Sequence, residues 1–292
     1  MQDQPLSKEL AKIAQLALVE DCAFKDITSD LTIPKNTIIT FEIKAREEIT
    51  FCGKMAISAV FAELKKSAKF KNSKLDLEIF AQDGEALEPT KSIARGIGDA
   101  WLIFAAERVI LNLIQHLSGI ATFTQKFVQA LGNEKIKILD TRKTLPGLRA
   151  LEKYAVLTGG GKNHRFNLSD MILIKDNHIA AAGGVAAAIT AAKQNTKKLK
   201  IEIECDAVKQ VSEAVKSSPD VIMLDNMKMA ELKKSIALIR KNSSKIKIEI
   251  SGGVSLQNIK NFSALDADFI SIGSLTHSAR AVDIGLDVLN PT

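Results

Sequence analysis

The chain has 292 residues, 46% of them hydrophobic, which suits one large or two modest domains with a substantial buried core. Forty basic residues against 34 acidic ones leave a net charge of +6, a mild excess that favours anionic partners without demanding nucleic acid; much of it sits in lysine runs such as KQNTKKLK, which read as solvated faces. Three cysteines (Cys22, Cys52, Cys205) without CxxC spacing exclude a disulfide framework or a zinc site, and with no leader-like start and no apolar run near ~18 residues a soluble cytoplasmic protein is expected.

The elements follow in chain order. SKELAKIAQLALVED spaces Leu10, Ile13, Leu16 and Ala17 as one face of a helix, with Ser7 as its N-cap. TIITFEIKAREEITFCG alternates Ile39, Phe41, Ile43 and Ala45, and KLDLEIFAQDGEAL alternates Leu75, Leu77 and Ile79 before an Asp83-Gly84 turn, so both predict strands of a mixed α+β module. AWLIFAAERVILNLIQHL predicts a long buried helix, broken near Ser118-Gly119, that joins two domains. Six short apolar runs follow: KIKILDTRK, MILIKDNH, LKIEIECD, VIMLDN, IKIEISGG and FISIGS. Their repetition at roughly 20–35 residues implies parallel β/α units, for which a barrel and a doubly wound sheet are both open.

Each run ends in polar residues: Asp140, Arg142 and Lys143; Lys175 and Asp176; Glu204; Asp225 and Asn226; Ser251 and Gly252; Ser271 and Gly273. In a β/α barrel the C-terminal strand ends converge on one mouth, where chemistry takes place. Arg142, Lys143, His164, Arg165 and Lys175 form an electropositive set suited to a polyanionic substrate. Glu204 and Asp225 stand opposite as carboxylates able to hold Mg²⁺, grip sugar hydroxyls or stabilise developing positive charge. SGGVSLQN and SIGSLTHS place glycine and serine before helix starts, a pattern that binds phosphate. GGGKNHR, residues 159–165, sets three glycines before Asn163, His164 and Arg165, so that backbone passes close to the mouth while these side chains turn toward an acidic ligand and Lys162 faces solvent. Of the four histidines, His164 is the best candidate for ligand contact; His116 reads as structural, and His178 and His277 as loop or cap residues.

DTRKTLPGLRALEKYAV, GGGKNHRFNLSDMILIKDNHI, VIMLDNM, SGGVSLQNI and ISIGSLTHS, with EDCAFKDITSDLTIP and AERVILNLIQHLSGIAT upstream, resemble the quinolinate phosphoribosyltransferase family over nearly the whole chain and in the right order. The resemblance implies an N-terminal α/β sandwich (1–112, joined by 279–292) and an incomplete α/β barrel of about six parallel strands (113–278). It implies transfer of phosphoribose from phosphoribosyl pyrophosphate to quinolinate, with loss of carbon dioxide, to give nicotinate mononucleotide and pyrophosphate in de novo NAD synthesis. It further implies a homodimer, or a hexamer built from one, in which Arg108 is lent to the neighbouring subunit's site. Arg142, His164 and Arg165 would hold the quinolinate carboxylates beside Lys175. Lys143, Glu204 and Asp225 would surround the phosphoribosyl group and its Mg²⁺, and Ser251, Gly252, Gly253, Gly273 and His277 would line the phosphate side. His116, where an arginine is common, and Cys205, where a small apolar residue is usual, are the departures.

Read without the resemblance, the strand ends also admit a Schiff-base aldolase using Lys175, which the abundance of arginine and the two acidic strand ends fit less well. A non-catalytic nucleic-acid binder is the other alternative, disfavoured by one Trp and one Tyr as stacking platforms. Neither nucleic acid nor membrane is expected as a partner.

Overall fold

The computed structural model describes residues 3–196 and 198–289; the remaining positions, including the very ends of the 1–112 and 279–292 segments, lie outside the described residues. In chain order the elements are α1 (Asp3–Glu20), α2 (Ile27–Thr32), β1 (Ile38–Ala45), β2 (Ile49–Thr50), α3 (Lys54–Lys65), β3 (Leu75–Ile79), β4 (Ala86–Leu87), β5 (Ser92–Asp99), α4 (Ala100–Leu131) and β6 (Lys137–Leu139). Then come α5 (Arg149–Thr158), β7 (Ile172–Ile174), α6 (Asp176–Ala182), α7 (Val185–Asn195), β8 (Ile201–Cys205), α8 (Val208–Ser217) and β9 (Val221–Asp225). The chain continues through α9 (Met229–Asn242), β10 (Lys247–Ser251), β11 (Phe269–Ser271), α10 (Ser274–His277) and β12 (Ile284–Leu289). Two compact units divide it: the chain up to Gln125 with Thr144–Gly160 and the stretch from Leu275, and Lys126–Lys143 with Gly161–Ser274. Residues 113–125 and 144–160, which the family resemblance puts with the barrel, thus fold with the first unit.

In the first unit an antiparallel sheet of order β12-β1-β5-β3 packs against helices. Strand β1 alternates as expected: Phe41 and Ile43 are fully buried, and Phe41 meets Phe61 of α3 with ring centroids 6.3 Å apart. Strand β5 alternates in burial too, with Ala94, Gly96 and Gly98 inward and Arg95 and Ile97 outward, but two of its inward positions must be glycine. A Cβ on Gly96 would stand 2.7 Å from the Phe41 ring and 2.8 Å from the Asp76 carbonyl oxygen, and one on Gly98 would stand 2.6 Å from the Lys74 carbonyl oxygen.

Two helices differ from expectation. Ser7 lies inside α1 rather than capping it, since the proline at position 5 falls in the first turn, where its missing N–H costs nothing. The buried stripe of α1 is Leu10, Ala14 and Leu18, and Leu16 is exposed. Helix α4 passes unbroken through Ser118-Gly119. Gly119 is small because the Arg280 carbonyl oxygen would lie 2.1 Å from any Cβ there, and the Ser118 hydroxyl donates to the Cys52 carbonyl, so both residues serve packing rather than helix termination. Helix α4 is long and apolar enough to cross a membrane by composition, yet most of its apolar window is buried, as in a core helix.

The second unit is a six-stranded parallel sheet of order β6-β11-β10-β9-β8-β7, all six strands arising from the six apolar runs. Ile203, Ile222, Leu224, Ile248 and Ile270 are fully exposure-free, each contributing roughly 1.5–3 kcal/mol of burial. Helices α7, α8 and α9 present buried stripes such as Val211, Ala214 and Val215 on α8 and Leu232, Ile236 and Ile239 on α9. Strand β6, first in sequence, pairs with β11, the last, while β7 ends the other edge. The sheet is therefore an incomplete barrel, open between β6 and β7.

Register decides which side chains share a face. Leu173 aligns with Glu202, Glu204 with Met223, Met223 with Glu249, and Ser251 with both Asp225 and Ser271. With a side-chain period of two, Glu202, Glu204, Asp225, Glu249, Ser251 and Ser271 all point to one face, opposite the isoleucines.

Candidate active site

At the rim of that face the strand ends pair with one another. Lys175, the residue after β7, places its Nζ 2.5 Å from the Glu204 carboxylate at the end of β8. Next to them Asp225 ends β9, and its carboxylate accepts a bond from the Asn226 side-chain amide at 2.6 Å. Asn226 is held in the left-handed region (φ 55°) by donating its backbone N–H to the Ser251 carbonyl at the end of β10. That turn demands glycine at 252: φ is 86°, and a Cβ would lie 2.1 Å from the Asn226 side-chain oxygen. Gly253 is left-handed as well, so Ser251–Gly253 turns sharply beside Asp225. Gly273 follows β11 at the same level of the sheet.

The cationic side of the unit is built from the loop after β6 and the glycine-led segment. Lys162 extends the edge of β6, donating its N–H to the Ile138 carbonyl at 2.8 Å while its own carbonyl accepts from Asp140 N–H at 3.1 Å; its side chain faces solvent as expected. Fully buried Asp140 then accepts the backbone N–H of His164 at 2.9 Å and the side-chain amide of Asn163. Arg165 donates to the Met171 carbonyl at 3.3 Å. Burial and the neighbouring Arg142 push its guanidinium below the ordinary value, and Glu202 opposes that shift, so Arg142, Arg165 and Glu202 act on one another. Asn163, His164, Arg165, Asp170, Met171, Lys198, Leu199 and Lys200 line a cavity of about 380 Å³ here. Lys143 is exposed next to Arg142.

His164 joins this segment to the strands. Its ring turns into the unit, with the side chain 7% exposed, toward the face of the sheet that carries the glutamates. Nδ1 accepts the backbone N–H of Arg165 at 2.6 Å, so the proton resides on Nε2, which lies 3.2 Å from Glu202 and 3.6 Å from Glu249. Both glutamates are buried in mid-strand. Burial, and then the charge of Glu202, push the Glu249 carboxyl up to about 8, so it holds its proton at neutral pH. These glutamates escaped the sequence reading, although a charged residue in the middle of an otherwise apolar parallel strand is the signal that could have found them.

The remaining predicted residues are placed as follows. Arg108 is exposed on α4, and His277 is exposed at the end of α10 with its Nδ1 2.7 Å from the Ser278 hydroxyl; both belong to the first unit. His178 accepts the Lys175 backbone N–H at 3.0 Å and so caps α6, as a loop histidine. His116 pairs with fully buried Glu152 at 2.9 Å, and Glu152 also accepts the Leu145 N–H, a structural role in place of the more common arginine. Cys205 is buried on the isoleucine face, where burial pushes its thiol up to about 12, so it packs as a neutral side chain. In the glycine triplet, a Cβ on Gly159 would stand 2.3 Å from the Ala121 carbonyl oxygen of α4, whereas Gly160 is needed for a φ of 90°. The first glycine therefore serves helix packing and the second the turn.

Comparison with known proteins assigns both units. The description "Quinolinate phosphoribosyl transferase, N-terminal domain" matches residues 26–118, and "Quinolinate phosphoribosyl transferase, C-terminal domain" matches residues 120–287. The chain is 42% identical over 285 residues to a probable nicotinate-nucleotide pyrophosphorylase (carboxylating) of Methanocaldococcus jannaschii, covering 95% of this chain and 96% of that one. It is 37% identical over 300 residues to a quinolinate phosphoribosyltransferase (decarboxylating) 2, mitochondrial, of Nicotiana glauca, covering 96% and 82%. The solved nicotinate-nucleotide pyrophosphorylase of Francisella tularensis superposes with a TM-score of 0.89 at 35% identity, covering 97% of each chain.

Proposed function

Because this chain belongs to the quinolinate phosphoribosyltransferase family, we infer that the strand ends of its parallel sheet are where phosphoribose passes from phosphoribosyl pyrophosphate to quinolinate. The products are nicotinate mononucleotide, pyrophosphate and carbon dioxide, a step in NAD synthesis. The observation that carries the assignment of residues is the shared face. Adjacent strand ends bring together a lysine–carboxylate pair, a second carboxylate and a glycine turn, with two arginines nearby.

Arg142 and Arg165 bind the two carboxylates of quinolinate, joined by Arg108 of the neighbouring subunit, and so align the ring nitrogen with the ribose C1 carbon. The backbone turn Ser251–Gly253, with Gly273, holds phosphate oxygens, and Lys143 neutralises the phosphoribosyl group. As the bond to pyrophosphate breaks, Glu204 and Asp225 stabilise the positive charge that develops on the ribose, and Lys175 keeps Glu204 in place. The ring nitrogen then bonds to C1. The alkylated, positively charged ring accepts the electron pair left when the adjacent carboxyl departs as carbon dioxide, and that carbon takes up a proton. No covalent enzyme intermediate is required.

Mg²⁺ belongs to the same reading. Glu204 and Asp225 offer hard oxygen donors on neighbouring strand ends, which suits an ion that binds one or two carboxylates together with substrate phosphates. When bound it supplies positive charge against the pyrophosphate. A homodimer fits the exposure of Arg108 and the apolar Leu16, Val19, Ile27 and Leu31 left exposed on α1 and α2. A cytoplasmic location is supported by the three free cysteines Cys22, Cys52 and Cys205.

An ultraviolet assay with quinolinate, phosphoribosyl pyrophosphate and Mg²⁺ tests the reaction, with nicotinate as the control acid. Product from quinolinate alone is expected; silence with both acids would sink the catalytic reading. Mixing inactive Arg108→Ala with inactive Lys175→Ala tests the shared site, because hybrid dimers carry one intact site and regain partial activity. No recovery after verified subunit exchange would remove Arg108 from the neighbour's site.

A further inference from the structure

Two buried glutamates below the rim call for a physical account. Glu202 and Glu249 lie on β8 and β10, 1% and 2% exposed, and removing carboxylates from water costs several kcal/mol each unless something nearby compensates. In both, Oε1 has no hydrogen-bond partner within the protein. The polar atoms of His164, Glu202 and Glu249 lie within 4.8 Å of one another, a spacing that would also suit a cation. The histidine decides against it. Its Nδ1 accepts an N–H and so carries no proton, which leaves the proton on Nε2, the nitrogen that a metal would need.

We propose that Glu202 is a positioning residue for recognition of the dicarboxylate: it holds the His164 ring at 3.2 Å, with the Glu249 carboxyl packed beside it, and the ring in turn holds the backbone of Arg165 and so aims its guanidinium. The inference rests on the reading above that Arg142 and Arg165 bind quinolinate. The segment being held has little structure of its own. It follows a glycine turn and is pinned at His164 N–H by Asp140, at Arg165 N–H by the His164 ring, and at Phe166 N–H by Asp170 at 2.6 Å. The ring thus links this segment to mid-strand residues of β8 and β10, and Glu202 is also a charge that Arg165 senses directly.

Steady-state kinetics with each substrate varied in turn test the proposal. Glu202→Ala should raise KM for quinolinate roughly tenfold and leave KM for phosphoribosyl pyrophosphate within about twofold. Glu202→Gln, whose amide oxygen can still accept from Nε2–H, should restore most of the loss. His164→Ala should produce the same split, and the double variant Glu202→Ala/His164→Ala should be no worse than His164→Ala alone. An unchanged KM for quinolinate in the alanine variants, equal damage to both substrates, or additive losses in the double variant would each overturn it. Should Glu202→Ala not fold, His164→Ala compared with Glu202→Gln supplies the same split. A stoichiometric transition metal in the purified wild type that disappears in His164→Ala would also overturn it. Inability of the wild type to turn over quinolinate would instead defeat the underlying reading, which keeps the two failures distinct.

Discussion

Glu204 and Glu202 stand two residues apart on β8 and face the same side of the sheet, yet Glu204 is 16% exposed and pairs with Lys175, while Glu202 is 1% exposed and holds His164. One step of the pleat separates a rim, where charges meet water and a ligand, from a floor, where they meet only protein. At the rim a charge is available to chemistry, and its pairing with a flexible lysine costs little to rearrange. On the floor a charge is expensive to bury and rigidly held, so it acts by fixing what it touches. The two rows should therefore fail in different ways when altered.

The largest effect is expected at the rim. Lys175→Ala should lower turnover by roughly 10²–10³-fold and barely shift the melting temperature; a variant with near wild-type turnover would remove Lys175 from the reacting cluster. Gly252→Ala comes next. Its Cβ has to displace the Asn226 side chain at a left-handed position, so a strain of about 1–3 kcal/mol should fall on the turn beside Asp225 and weaken binding of phosphoribosyl pyrophosphate. Isothermal titration with that substrate would show whether affinity survives.

The floor predicts a stability effect with a definite sign. In the folded chain the Glu249 carboxyl is raised to about 8 from its ordinary 4.5, by burial first and by Glu202 second, against His164 and the Ser271 hydroxyl, which favour ionisation. Below pH 4.5 folded and unfolded chains both hold the proton, and this contribution is complete. As pH rises toward about 8 the unfolded chain has already released the proton that the folded chain retains, so stability falls, and the loss is complete once the folded carboxyl ionises. Melting curves between these limits should therefore drop less steeply with pH for Glu249→Gln than for the wild type. A parallel drop in both would show that Glu249 is not the group responsible. Smallest of all, Cys205→Ala on the opposite face should cost about 1 kcal/mol of stability and leave turnover unchanged; an altered KM would tie Cys205 to Glu204 after all.

Much of this was legible in the sequence, and the parts that were not have identifiable causes. The six parallel strands announce themselves because Ile and Leu runs such as VIMLD have few other uses. Strand β5 was hidden because the close approach of Phe41 and the Asp76 carbonyl forces glycine where alternation would have shown an apolar side chain. Ser118-Gly119 looked like a helix end because local signals cannot report that the Arg280 backbone lies against α4. Among site residues, the strand-end positions of Lys175, Glu204 and Asp225 follow from the chain itself, but the pairing of Lys175 with Glu204 is a property of register between strands. The inward turn of His164 was beyond reach for the same reason, since its partners lie 38 and 85 positions along the chain, on β8 and β10.

The strand pairings also bear on how the chain can be made. Lys137 of β6 waits for Phe269 of β11, and Thr40 of β1 waits for Leu289 of β12. Each of these two sheets thus recruits an early strand to one made much later, so neither acquires its full set of neighbours until that later strand has left the ribosome. Early β1 and β6 edges remain open during that interval, the period in which such edges are most prone to pair with the wrong chain. Growth temperature and chaperone supply should consequently govern the yield of this protein more than substitutions at its catalytic rim do.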